Sequence, residues 1–557
     1  MDQQTTNIQT PVLIVGGGVV GLSAALFLLQ QGITPLLVER HQGTSIHPRA
    51  RGFDVRTMEL YRSLQLSDTI REAGKALAPA WGIHHSTSIA QALEKAKPGK
   101  KKGLAKLPGM DIITTLSPET GARCTQDLSE PVLVAAARER GAQLEFYTEL
   151  VDFTQGDEGV TARLRCRNTG DIRTVQAAYM IAADGAKSPV RETLQAATTG
   201  RGAIASLLNI YFEADLAAFV RGREFSLTII RTATCKGFVA AINNSNRWVF
   251  HLHYDPAVAA PEDYTTEKLV AILREVIGLP DIHIRIISVL PWQPTVKVVE
   301  QMQHGRIFLA GDAAHVMTPY GGKGANTGIQ DAHNLAWKLA AVLKGTASPA
   351  LLHTYSPERQ PIGLYNAVKS GRYSDNDGLL QKDFANIIGL MWKVMRAKVA
   401  GWLGWSRWSQ RLYMRSIAGL VGLPDYLYSA AAADMSANSY QQAAALDGSP
   451  GTRAPHAWVQ YREQRVSTLD VLGKSFVLFT GVDNAPWLQA AALMDIPVYS
   501  IGATGTLVYD EKPVKELLGI AASGAVLIRP DGFVAWRCKT MPAQPASALA
   551  AALQTFR

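Results

Sequence analysis

A glycine cluster set between a buried strand and a helix constrains this chain more than any other feature. Residues 11–15, PVLIV, form a short uncharged run of strand character. GGGVVG follows at once, residues 22–31 carry a helical pattern that Gly32 ends, and residues 35–39 read as a second strand. Gly16, Gly18 and Gly21 fall on the G-x-G-x-x-G positions. The first permits the tight turn, the second lets backbone approach a pyrophosphate, and the third lets the helix lie close on the sheet. The helix N-terminus adds free N–H groups and positive potential. Glu39 closes the second strand where a carboxylate can grip the ribose hydroxyls of an adenosine and repel a 2′-phosphate. The segment therefore predicts a site for FAD or NAD rather than NADP. Glycines serving helix–sheet packing alone are the rival reading. Residues 11–29 are also uncharged for long enough to imitate a membrane span, but Gly16, Gly17, Gly18 and Gly21 predict a strand and a helix instead.

Two later motifs select a flavin. Residues 179–183 are apolar and strand-like and lead into DGAKSPVR, Asp184 to Arg191; an Asp-Gly pair alone marks only a turn. Residues 306–310, RIFLA, form another strand that enters GDAAH, beginning at Gly311 and Asp312. Pro319, the segment GGKGANTG and a long helix over 329–343 follow. In that helix Ile329, Ala332, Leu335, Ala336, Leu339 and Leu343 recur at three- and four-residue steps, and Asp331, Asn334 and Lys338 face elsewhere. A carboxylate after a strand, Asp312, can accept hydrogen bonds from ribityl hydroxyls. Gly321, Gly322 and Gly324 let a flat ring approach backbone, and the helix N-terminus favours the negative charge of a reduced flavin. A generic glycine loop capping a helix is the alternative.

The chain has 557 residues, enough for two to four domains at roughly 100–200 residues each. With 47% hydrophobic and 18% charged residues it has the balance of a globular protein. Part of the +9 net charge lies in one run, Lys95, Lys97, Lys100, Lys101, Lys102 and Lys106. That run reads as a solvated loop, with a polyanion site as its rival; it lacks the Arg and aromatic residues of a nucleic-acid surface, and no nucleic-acid partner is expected. Cys124, Cys166, Cys235 and Cys538 are scattered without CxxC or metal-ligand spacing, which predicts neither a disulfide framework nor a metal site. The first ten residues carry no positive charge, which argues against a signal peptide. Cytoplasmic location is the expectation, with no transmembrane segment.

Residues 195–290 alternate in a strand-like way and predict a sheet over the substrate. Across 247–254, Trp248, Phe250, Leu252 and Tyr254 share one face, and Val249, His251 and His253 the other. Tyr211 and His253 are candidates to bind or deprotonate a phenol; a satisfied polar residue on a sheet face is the plainer reading of each. Residues 390–413 carry Trp392, Trp402, Trp405 and Trp408 among basic residues. They suit a membrane-surface helix or packing over the substrate mouth. A linker runs to His456. The last hundred residues read as short strands, with Pro530-Asp531-Gly532 turning a hairpin.

The stretches IVGGGVVGLSAA, HPRARG with RTMEL, ADGAKSPVR, GDAAHVMTPYGGKGANTGIQDAHNLAWKLA and PGTRAPH resemble the class A FAD-dependent aromatic hydroxylases, and within them the bacterial polyketide hydroxylases. The resemblance spans most of the chain. It implies an α/β fold: a Rossmann-type, glutathione-reductase-like FAD-binding domain in three parts (1–85, 110–190 and 291–375). The insertion 86–109 and the sheet 191–290 would form a substrate domain. A helical segment and linker (376–450) and a thioredoxin-like domain (451–557) without CxxC would follow. It implies FAD as cofactor, NADPH or NADH as transient co-substrate, and dioxygen. The activity would be hydroxylation of a phenolic or polyketide-like aromatic through a flavin hydroperoxide, by a monomer or homodimer. A Baeyer–Villiger oxygenase on the same scaffold and a non-catalytic FAD-binding protein are the alternatives. Residue by residue, it places Pro319 and Arg49 at the reacting centre, with Arg49 also touching the FAD phosphate or ribityl region. Gln126 falls on the ribityl–isoalloxazine side and Val151 at the adenine through backbone. Asp184 lies near the pyrophosphate and Asp312 on the ribityl chain. Gly324, Ala325 and Asn326 fall on the pyrimidine edge. Gly311, Gly322 and Arg40 complete the cofactor set. Lys323 departs from the apolar residue or Gln common in relatives, and either lies beside the ring or points to solvent.

Overall fold

The computed structural model describes residues 8–77, 82–96, 113–381, 419, 421–428, 448–509 and 517–557. Its centre is an eight-stranded sheet whose parallel core runs Ile307–Leu309, Ile172–Ala182, Ile8–Val15, Leu36–Glu39, Gln143–Phe146. Two antiparallel strands, Thr148–Gly156 and Gly159–Cys166, extend it as a ribbon joined to Ile172–Ala182. The first strand is apolar through Val12–Val15 because side chains on both of its faces are buried in the same core. The glycine turn opens the helix Val19–Gln30, almost wholly buried between that sheet and the long helix Gly324–Leu343. The uncharged stretch 11–29 is thus strand, turn and helix, and no helix among the described residues is long and apolar enough to cross a membrane.

A six-stranded sheet lies beside this core, in the order Arg285–Trp292, Ser206–Glu213, Arg247–Tyr254, Lys236–Ala241, Leu227–Arg231, Ile83–Ser86. Its contiguous strands come from 206–292, and the edge strand Ile83–Ser86 reaches in from far upstream to pair in parallel with Leu227–Arg231. The expected alternation is present: Trp248, Phe250 and Leu252 enter one core and Val249 another. One element within the span is helical, Thr266–Ile277. Thr265 caps it through Lys268 N, Leu269, Leu273, Val276 and Ile277 form its buried stripe, and Gly278 ends it in the left-handed region at φ +83°.

The C-terminal unit holds a four-stranded sheet, Val498–Ser500, Val477–Thr480, Ala525–Ile528, Val534–Cys538. The first pair is parallel across the helix Ala485–Ala492, the others are antiparallel, and the helix Pro545–Gln554 packs on the same side as Ala485–Ala492. This is a thioredoxin-like arrangement. Gly532, at φ +79°, turns the last hairpin.

This unit is fastened to the FAD-binding part by buried charge. Asp331, Asn334 and Lys338, which the helical pattern set aside as a polar face, are all buried. The polar face of Gly324–Leu343 is a second interface. Lys338 Nζ lies 2.6 Å from Glu358, Arg529 lies 2.6 Å from both Glu358 and Asp531, and Asn334 donates to both acids. Arg453 pairs with Glu59, which also accepts from Arg56 and Ser117. Buried ions tolerate this only when every charge has a partner. The Trp-rich segment 390–413 and most of the lysine run and the linker before His456 lie outside the described residues.

Candidate active site

Three strand ends decide where the site lies. Val15 pairs with Ala182, and Leu309 pairs with Ala182 on the other side. The glycine turn, Asp184 and Gly311-Asp312 therefore leave the carboxyl end of the sheet side by side, the place where open α/β sheets take ligands.

The three fingerprint glycines differ in what requires them. Gly16 has φ +110°, and a Cβ there would lie 2.3 Å from the Ala183 carbonyl. A Cβ on Gly21 would lie 1.9 Å from the Gly16 carbonyl. A Cβ on Gly18 would meet nothing closer than the Glu130 carboxylate at 3.6 Å. Protein packing demands the first and third glycines; the space before the second is left for a ligand. Glu39 is oriented at its edge, accepting from Gly17 N at 2.7 Å and His41 N at 2.9 Å. Val151 is exposed at a register shift in its strand, and Arg40 is exposed with its carbonyl accepting from Arg167.

On the opposite wall, the loop carrying His47 and Arg49 is tied to the helix Gln126–Glu139. Gln126 N donates to the Arg49 carbonyl at 2.9 Å, and its side chain donates to Glu130 at 2.6 Å. Glu130 also accepts from Ser45 N at 2.7 Å, and burial pushes its carboxyl up. Asp312 opens to the cleft yet is enclosed deeply enough that burial raises its carboxyl, against the charges of His315, Arg49 and Arg191. Asp184 accepts from Val190 N at 3.1 Å, which makes it a cap of the short helix Pro189–Thr193; burial raises it too.

The third motif forms the floor. Gly321 and Gly322 take left-handed backbone at φ +91° and +62°, and the helix starts at Gly324, earlier than its apolar pattern indicated. Pro319 and Gly322 are exposed, with no atom within 4 Å of a Cβ on Gly322. Asn326 is buried: its Nδ2 donates to the Gly322 carbonyl at 2.7 Å and its Oδ1 accepts from Asp54 N and Thr57. That side chain is committed to holding the loop, so Gly324, Ala325 and Asn326 offer a ligand backbone. Lys323 lies 3.6 Å from Asp54, whose carboxyl burial raises and Lys323 draws back down.

Beside this floor stands the apolar face of the six-stranded sheet, with Tyr211, Ile229, Phe238 and Val249 in one cluster with Tyr320. The Tyr320 ring is 6.0 Å from Phe238, and its hydroxyl donates to the Gly378 carbonyl. The Tyr211 hydroxyl accepts from Arg247 at 2.6 Å, and Arg247 in turn pairs with Asp127. His253 sits further along its strand, 3.9 Å from Asp377 in a cluster with Arg231 and Lys236. The structure thus separates the two substrate candidates. It adds groups that sequence reasoning passed over. His47, buried and with both ring nitrogens unpaired among the described residues, lies edge-on to Tyr211; burial lowers it to about 4. His251 stacks on Phe238 at 4.0 Å, and burial holds it well below the usual imidazole range. Both lay within stretches already singled out, but only tertiary contact gives them a common cleft.

Residues 9–368 match the model of an FAD binding domain, and residues 447–556 that of the aromatic-ring hydroxylase C-terminal domain. The chain belongs to the FAD-dependent aromatic-ring hydroxylases, flavoprotein monooxygenases. It is 38% identical to the tetracenomycin A2 monooxygenase-dioxygenase of Streptomyces glaucescens, over 98% of this chain and 96% of the relative. It is 36% identical to the tetracenomycin B2 monooxygenase-dioxygenase of Streptomyces olivaceus, over 97% of each. Among solved structures, aklavinone-11 hydroxylase in ternary complex with FAD and aklavinone superposes with a TM-score of 0.78 at 30% identity, over 99% of both chains.

Proposed function

We propose that this monooxygenase uses NADPH or NADH and dioxygen to hydroxylate a planar, phenolic, polyketide-type aromatic. The observation that carries the reading is the adjacency of two surfaces: the Pro319–Gly322 loop, exposed at Pro319, Gly321 and Gly322, and the sheet face that meets it through the buried Tyr320 and Phe238. The tetracenomycin oxygenases and the aklavinone complex, similar over the full chain, favour a polycyclic substrate.

Bound FAD supplies electron transfer from reduced nicotinamide to dioxygen and, through it, an oxygen atom for the ring. The protein's part is positioning and exclusion of water. The free approach at Gly18 and the helix N-terminus behind it receive the pyrophosphate. Glu39 takes the adenosine ribose, with Arg40 and the backbone of Val151 at the adenine end. Arg49, Gln126 and Asp312 face the ribityl chain. Gly311 brings the strand end close to the helix Val19–Gln30, where a Cβ would meet Val20 at 2.9 Å. Asp184 holds the turn beneath the pyrophosphate through its cap of Val190. Gly322, Gly324, Ala325 and Asn326 present backbone to the pyrimidine edge, and Pro319 faces the reacting edge. Tyr211 orients Arg247 toward the helix Gln126–Glu139, and His253 lies at the outer rim. The chain works in the cytoplasm, where reduced nicotinamide is at hand, as a monomer or homodimer.

The test is a screen of phenolic polycyclic ketones and simple phenols for stimulation of NADPH and NADH oxidation, with product mass read in parallel. Stimulation accompanied by a product one oxygen heavier supports the reading. Stimulation only by non-aromatic ketones, with ring-expanded products, contradicts it.

A further inference from the structure

The Gly311-Asp312 turn is held from behind by a carboxylate, and that carboxylate is held in turn by the C-terminal part of the chain. Asp331 accepts from Gly311 N at 3.2 Å and from Arg359 Nε at 2.8 Å, and lies 2.7 Å from His315. Gly311 needs such a tether: its backbone is left-handed, at φ +61°, where the strand Ile307–Leu309 gives way to Asp312. Arg359 also donates to the Thr327 carbonyl at 3.1 Å, in the first turn of the helix Gly324–Leu343. Asp331, His315 and Arg359 are all fully buried.

What fixes Arg359 comes from far along the chain. Its Nη1 donates to the hydroxyls of Tyr426, at 3.1 Å, and Tyr428, at 3.0 Å, and the Tyr426 hydroxyl donates to Gln330 at 3.0 Å. Both tyrosine rings lie against Phe533, with centroids 4.1 Å away for Tyr428 and 5.8 Å for Tyr426. Ile362, one turn beyond Arg359 on the helix Tyr355–Gly371, closes the cluster. Phe533 stands in the last hairpin of the C-terminal unit, and that unit also holds Tyr428 by backbone. Tyr428 N donates to the Gly451 carbonyl at 3.0 Å, and Gly451 N to the Val534 carbonyl at 2.8 Å. The ion pairs of Lys338, Glu358, Arg529 and Asp531 already dock the unit. The tyrosines add a hold on Arg359. A buried guanidinium with one carboxylate partner needs neutral acceptors for its other N–H groups. Without the two hydroxyls its Nη1 is stranded, and relief comes from movement of the side chain away from Asp331 and Thr327.

We propose that the C-terminal unit is a working part of the FAD site: Phe533 is a positioning residue that, through Tyr426 and Tyr428, fixes Arg359 and Asp331 and so sets the Gly311-Asp312 turn for the ribityl chain. This rests on the placement of FAD against that turn given above. Coupling of this kind is reciprocal. Docking of the unit tightens FAD binding, and FAD binding tightens the hairpin that carries Phe533.

The experiment is hydrogen exchange, read by mass in peptides of the full-length protein, apo and saturated with FAD, without nicotinamide or substrate. Peptides 307–316 and 527–534 should both exchange about fivefold or more slowly with FAD, the lower end of the usual coupling range. The helix Ala485–Ala492, packed in a separate core of the same unit, should be unchanged. The Tyr426→Phe/Tyr428→Phe variant keeps both rings on Phe533 and loses only the hydroxyls. It should bind FAD about tenfold more weakly, the worth of one hydrogen bond to a charged group. At saturating FAD its peptide 307–316 should still be protected and 527–534 should not. Phe533→Ala should weaken FAD in the wild-type background and add nothing in the double variant. Protection of 307–316 without protection of 527–534 in the wild-type protein overturns the proposal, and this comparison needs no variant to fold. Equal protection of Ala485–Ala492 also overturns it, since that marks general stabilisation by ligand. So does unchanged FAD affinity in the tyrosine variant, or a Phe533→Ala effect of the same size in both backgrounds. Bound FAD that leaves 307–316 unprotected removes the placement of FAD on that turn, and the proposal with it.

Discussion

Replacing Gly18 and Gly21 one at a time by alanine separates a ligand-imposed glycine from a packing-imposed one. At Gly18 the backbone is extended, with φ −75° and ψ −178°, which any residue adopts, and the nearest atom to a new Cβ is 3.6 Å away. The substitution loses a glycine N-cap, worth a few tenths to about 1 kcal/mol, and regains a similar amount from the less flexible unfolded chain. Apo-protein stability should therefore change by less than about 1 kcal/mol. The methyl group instead occupies the approach to the N–H groups at the helix start. Displacing a pyrophosphate from one such charge-assisted bond costs about 1.5–3 kcal/mol, about 10- to 150-fold in FAD dissociation constant. Gly21→Ala places its Cβ 1.9 Å from the Gly16 carbonyl, so the turn and helix must part. Overpacking of that kind costs about 1–3 kcal/mol or more with no ligand present. The assays are urea unfolding of both apo variants and FAD titration of the folded ones. Unchanged FAD affinity in Gly18→Ala, or equal destabilisation of the two apo variants, refutes the reasoning.

Glu39→Ala removes the acceptor of Gly17 N and the proposed ribose contact, and should weaken FAD by about 1.5–3 kcal/mol in an equilibrium titration. Asp331 is buried against His315 at 2.7 Å and Arg359 at 2.8 Å; burial opposes its ionisation, but those partners prevail and hold its carboxyl below the usual range. A depressed folded pKa means that its stabilisation is complete above the unfolded value and is lost as pH falls toward the folded one. Asp331→Asn should cost about 3–5 kcal/mol near neutrality by stranding Arg359, and should flatten the acid limb of the urea midpoint against pH. Cys124 and Cys235 are buried, with their thiols pushed up to about 12; alkylating Cys166 and Cys538, the two with access, should leave turnover intact.

The parts of this architecture legible in the sequence are those where backbone geometry dictates residue type. The strand, glycine turn, helix and Glu39 were readable because Gly16 is required by its own backbone, at φ +110°, and Gly21 by the nearby Gly16 carbonyl. The hairpin at Gly532 was readable for the same reason. The helix Thr266–Ile277 carried its own signals in Thr265 and Gly278, but it sits between strands and was absorbed into their alternation. Asp331, Asn334 and Lys338 were set apart from the apolar face but their burial was not legible, because the partners lie elsewhere in the chain: His315 and Arg359 for Asp331, Glu358 for Lys338, and Glu358 and Asp531 for Asn334.

Whether one oxygen atom from dioxygen reaches a phenolic ring is read by turnover of a phenolic polycyclic substrate with NADPH or NADH under heavy-isotope dioxygen, with product mass and peroxide measured together. One heavy oxygen atom in each product molecule is expected, with reduced nicotinamide consumed in proportion to product. Product carrying oxygen from water, or nicotinamide oxidation that yields only peroxide with every aromatic tried, would contradict that expectation.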